Sequence, residues 1–150
     1  MNKILLIVTL FALLFPAISQ AQSKCPLPEG MRASVDMVKE IIEARHNGQT
    51  KEELETHVPL VAAQIPWAGV IMQSIVDEIY STPEPLNVDV HAMYRMEVCF
   101  ILDQHPETSP IFEQAYPQLK ECESLDSTTD KKPLIMCSMD VAQEVSGVGA

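Results

Sequence analysis

Glu43-x-x-His46 has the i, i+3 spacing that puts a carboxylate and an imidazole on one helix face, as in carboxylate-bridged di-iron bundles. Such a centre needs a second copy of the motif and two more inward glutamates, and the sequence has no second E-x-x-H. His91, Met93, Met96 and Cys99 share one helix-length stretch, and Met136-Cys137-Ser138-Met139 lies near the chain end. Imidazole, thioether and thiolate together would suit Cu(I). Methionine at helical spacing is more commonly core filler, however, and both cysteines fit better in disulfides. Nucleophilic catalysis would need a serine or cysteine beside a base. None of His46, His57, His91 and His105 stands in a G-x-S-x-G or H-E-x-x-H pattern. No glycine-rich loop is present to cradle a phosphate. No catalytic residue, metal or cofactor is assigned, and the chain reads as non-enzymatic.

Cys25, Cys99, Cys122 and Cys137 carry the most specific chemistry. The absence of C-x-x-C excludes a thioredoxin-like redox site and c-type haem attachment, and zinc-finger spacing is missing too. An even number of cysteines in an exported chain reads as two disulfides, with three connectivities open. Cys25–Cys99 with Cys122–Cys137 is favoured, because the second pair is close in sequence and the first brackets a helical core.

Charge is the other chemical signal. The 150 residues hold 10 Lys+Arg against 21 Asp+Glu, a net charge of −11. That balance argues against nucleic acid and against an anionic lipid surface as partners. The acidity is uneven: residues 72–126 hold 11 acidic groups against Arg95 and Lys120 alone. Asp77, Glu78, Glu84 and Asp89 are the residues expected to offer an acidic face to a basic protein partner. The same surface would also serve solubility.

These residues must be positioned by a chain that starts with an export signal. Lys3 gives a positive start, Ile4 to Phe15 an apolar run broken by Thr9, and Ser19-Gln20-Ala21 a small-residue cleavage site. Residues 1–21 read as a signal peptide, too short in its apolar part to span a bilayer. The mature chain is expected in the periplasm or secreted. No membrane association is expected after cleavage.

The rest is patterned as helix, and no run alternates with period two for long enough to argue for a sheet. Met31, Val35, Val38, Ile41 and Ile42 recur at three and four, and Asn47-Gly48 supplies a stop. Thr50-Lys51-Glu52-Glu53 is a capping box for a short helix that Pro59 is expected to end. Pro66 suits the first turn of a helix whose stripe is Val70, Met72, Ile75, Val76, Ile79 and Tyr80. Asn87 can cap a third long helix, with Val90, Met93, Met96, Cys99, Phe100 and Leu102 inward, ending near Gln104. A short helix starting at Ser109-Pro110 and a last one from Pro133 to about Val145 complete the chain. The expected architecture is all-α: a disulfide-stapled helical bundle over residues 22–106 with a short helical C-terminal appendage over residues 107–150.

Ala44-Arg45-His46-Asn47-Gly48-Gln49-Thr50-Lys51-Glu52-Glu53, with Val76-Asp77-Glu78-Ile79-Tyr80, Tyr94-Arg95 and the cysteines at 25 and 99, resembles a loose group of small exported bacterial proteins. They share an A-R-x-x-G-x-S/T-K-E-E helix–turn–helix, an I-Y-x-x-P turn and a paired-cysteine core. The resemblance covers roughly residues 25–102. It implies fold and location, and no activity. The expected role is a protein-binding module, such as an inhibitor or immunity protein against a basic exported toxin or hydrolase. The alternative is an acid-responsive periplasmic stress chaperone, whose carboxylates would protonate and whose methionine-rich faces would open at low pH.

Overall fold

The computed structural model describes residues 24–126 and 128–148. The leader expected over residues 1–21 lies outside them. Regular structure among the described residues is helical: α1 (Glu29–His46), α2 (Lys51–Glu55), α3 (Val58–Gln64), α4 (Pro66–Ser81), α5 (Val88–Gln104), α6 (Phe112–Cys122), a 3-10 turn (Glu123–Leu125) and α7 (Lys132–Ser146).

Local chemistry sets most of these boundaries. At the end of α1, Gly48 takes φ +86° and donates to the Arg45 carbonyl, while Gln49 donates to that of Ala44. This paired closure needs the left-handed backbone that glycine adopts without a Cβ clash. Thr50 and Glu53 form the reciprocal capping box at α2. Asn87 caps α5 by accepting from the Asp89 backbone N–H at 2.8 Å. Pro59 does not end a helix as expected. It sits in the first turn of α3, where its missing N–H has no intrahelical partner to lose. Likewise, Ser109-Pro110 does not open the next helix, which begins at Phe112 with Ile111 as its extended N-cap.

Two apolar cores share α5. On one side Val38, Ile41 and Ile42 of α1 meet Ile75, Val76 and Ile79 of α4, with Ala92 and Cys99 of α5. On the other, Val90, Tyr94, Val98 and Ile101 of α5 meet Phe112 and Leu119 of α6 and Leu134 and Val141 of α7. Each large side chain buried in this way contributes about 1.5–3 kcal/mol. Two disulfides tie the elements: Cys25–Cys99 joins the approach to α1 to α5, and Cys122–Cys137 joins α6 to α7. Gly69 lets α3 lie against α4, since a Cβ there would fall 2.4 Å from the Ala62 Cβ. Val70 and Phe100, expected in the core stripes, are instead exposed, at 57% and 44%. In α4 the buried series is Ala68, Ile71, Ile75 and Ile79, which leaves Val70 on the outward side.

Arg45 ties the helix–turn–helix to the Ile79-Tyr80 turn. Its guanidinium donates to the carbonyl of Ile79, to that of Thr82 at 3.0 Å and to that of Pro83 at 2.9 Å. It also lies 5.3 Å from the Tyr80 ring centroid, and Tyr80 Oη donates to the Gln49 carbonyl at 2.7 Å. A cation thus closes carbonyls left open at the C-terminus of α4. Arg45→Met is expected to cost about 2–3 kcal/mol, because several charge-assisted bonds to carbonyls are lost together. Urea denaturation checks this, and a change below about 0.5 kcal/mol would remove the clamp role.

Candidate functional site: a cleft over a buried ionic cluster

The site rests on α4 and α5. Ser74 and Glu78 are one turn apart on α4, and His91 and Arg95 one turn apart on α5. Arg95 Nη1 donates to Glu78 Oε1 at 2.9 Å and to Ser74 Oγ at 3.2 Å. His91 Nε2 lies 3.0 Å from Glu78 Oε2. The three charged or polar residues are almost fully enclosed, with side chains 10% (Glu78), 1% (His91) and 5% (Arg95) exposed.

Burial alone would push the Glu78 carboxyl up. The Arg95 charge and the hydrogen bonds from His91 and Arg95 outweigh it and hold the group below its ordinary 4.5. The ionised carboxylate can only accept, so His91 Nε2–H is the donor. The imidazole stacks on Phe112 at 5.1 Å between centroids and 13° between planes.

Two adjoining cavities lie over it, between α4 and the chain leading into α6. The wide half has a volume of about 540 Å³ and is lined by Val70, Gln73, Asp77, Ile111, Phe112 and Glu113. The narrow half, about 300 Å³, is lined by Lys24, Ile71, Arg95, Leu102, Thr108 and Ser109. Val70, Ser74, Glu78 and Pro110 border both. Val70 and Ile111 are exposed apolar residues, at 57% and 48%, and both stand at the wide half. Glu78 and Ser74 are common to both, while Asp77 and Glu113 belong to the wide half alone and Lys24 and Arg95 to the narrow half alone.

The structure separates the acidic residues singled out in the sequence. Asp77, Glu84 and Asp89 are exposed. Glu78 is not on a surface face: it takes a core-facing position beside Ile75 and Ile79, where Arg95 and His91 meet it. Asp77 pairs with Lys51 at 2.7 Å, and Asp89 with Lys131 at 3.2 Å. The hydrogen bond from Lys51 to Asp77 raises the lysine above its ordinary value despite some desolvation. Asp77 and Asp89 are thus each matched by a lysine of the same chain. Glu113, which the sequence reading did not single out, joins Asp77 at the wide half. Cys99 and Cys137 are both in disulfides, which removes them as thiolate ligands. Glu43 and His46 are exposed at the end of α1.

No family model matches this chain, and no similar curated protein or solved structure was found.

Proposed function

We propose that this is an exported, non-catalytic binding module that takes a basic, partly apolar segment of a protein partner in the wide half of the cleft. One observation carries the reading. Asp77 and Glu113 line the same cavity as two exposed apolar residues, Val70 and Ile111. A Lys or Arg next to an aliphatic residue matches that lining in charge and in surface. An inhibitor or immunity protein against a basic exported toxin or hydrolase is the concrete form. The two disulfides support export, and no helix of the described residues is long and apolar enough to cross a membrane. The resemblance to small exported bacterial proteins points the same way, with the periplasm as the compartment.

The test is capture of the partner from a periplasmic extract at low ionic strength, then titration with the purified partner. The double variant Asp77→Lys/Glu113→Lys is expected to weaken binding by about 10- to 100-fold, with most of the affinity also lost at high salt. The Lys51–Asp77 pair is half-exposed and worth about 1 kcal/mol at most, so the variant should fold. Unchanged affinity in the variant, or no partner recovered at low salt, would end this reading.

The buried Glu78–His91–Arg95 cluster favours a second reading, an acid-responsive chaperone. Protonation of Glu78 removes the charge that α4 presents to Arg95, which would loosen α4 from α5 and open apolar surface. If dye binding and client protection do not rise between about pH 7 and pH 3, this reading is lost.

A further inference from the structure

The narrow half of the cleft has a chemistry that the basic partner segment does not use. In a chain of net charge −11, it brings two basic residues, Lys24 and Arg95, to one cavity. Glu78 is on the same floor, but Arg95 and His91 already match its charge. The lysine charge is left over. Hydrogen-bonding capacity is left over too. Arg95 is 4% exposed, yet its Nε has no partner among the described residues. Ser109 is an exposed residue that lines the same cavity. Ile71, Val98, Leu102 and Pro110 make the rest of the wall apolar. The volume, about 300 Å³, is at the lower end of what small-ligand sites use.

We propose that the narrow half binds a carboxylate carrying a short aliphatic tail. The carboxylate takes Lys24 and Ser109 at the mouth and the Arg95 guanidinium at the floor, and the tail lies against Ile71, Val98 and Leu102. The same chemistry is supplied by a free aliphatic acid and by the C-terminal residue of a peptide. The site stands apart from the wide half, because none of Lys24, Arg95 and Ser109 lines that part.

The experiment is an amide NMR titration of the disulfide-bonded protein with four probes: N-acetylleucine, its amide, a short neutral peptide ending in leucine, and that peptide amidated. N-acetylleucine is expected to shift the amides of Lys24, Ser109 and Arg95, and its amide to bind at least about tenfold more weakly. A peptide tighter than N-acetylleucine assigns the site to C-terminal tails, and a weaker peptide assigns it to free acids. Lys24→Gln and Ser109→Ala change surface groups without disturbing the core, and Lys24→Gln is expected to weaken the acid about tenfold. Asp77→Lys/Glu113→Lys should leave carboxylate binding in place, which separates this result from that for the basic partner. Equal affinity of acid and amide, or no shift at these amides with millimolar probe, would overturn the assignment.

Discussion

Arg95→Met is expected to cost about 3–5 kcal/mol of folding stability, the range for removing one partner of a buried ion pair. Arg95 supplies the 2.9 Å bond to Glu78 and the 3.2 Å bond to Ser74, and the variant leaves the carboxylate enclosed with His91 as its remaining charged or chargeable partner. Adding Glu78→Gln to Arg95→Met should return part of the loss, since the stranded charge goes with it. Urea unfolding of the two single variants and the double variant measures this coupling. Strict additivity would mean that the three groups do not act as a unit. The pH dependence has a definite sign. Glu78 has a folded-state value below its ordinary 4.5, so its contribution is fully present above that value and is lost as pH falls through the lowered one. Glu78→Gln should flatten the acid limb of stability below about pH 4.5. An unchanged acid limb would place the acid sensitivity elsewhere.

The second large effect concerns the longer disulfide. Cys25→Ser/Cys99→Ser opens a loop with a sequence separation of 74, against 15 for Cys122–Cys137. Chain entropy alone puts the losses at about 4.5 and about 3 kcal/mol respectively. A domain of this size has a total of about 5–15 kcal/mol, so the first loss removes a large share of it. Denaturant midpoints should fall for both pairs, with the larger fall for the first. The reverse order would mean that the unfolded chain is not the main place where the bonds act.

Apart from α3, which the sequence reading did not expect, helix existence and most boundaries could be read from short-range patterns, because caps and stripes are encoded within four residues of where they act. Thr50 with Glu53, Asn87, and Gly48 are all local devices, and all are found in those roles. Both disulfide pairs followed from chain distance and from the helical core they bracket. Pro59 misled because proline is compatible with the first turn of a helix as well as with the end of one, and only the packing of α3 on α4 decides between them. The ionic cluster was not legible. Glu78 and Arg95 are 17 residues apart, and their meeting depends on how α4 and α5 pack. A faint signal exists: Glu78 interrupts an inward series beside Ile75 and Ile79, and His91 and Arg95 alternate with Val90, Tyr94 and Val98. A charge in an inward register asks for a partner in the core. That register alone is enough to take Glu78 off the acidic face. The cleft itself depends on the non-helical approach to Phe112, for which no periodicity exists.

The placement of α5 between both cores has a further consequence for measurement. A helix that each half needs cannot be released by one half alone, so its central amides should exchange with solvent only when the whole molecule opens. The cleft floor, through Arg95 and Val98, is part of that helix. Anything that occupies the cleft then adds to the free energy of global opening, and its binding is recorded in the slowest protons of the protein as well as in the amides near the mouth.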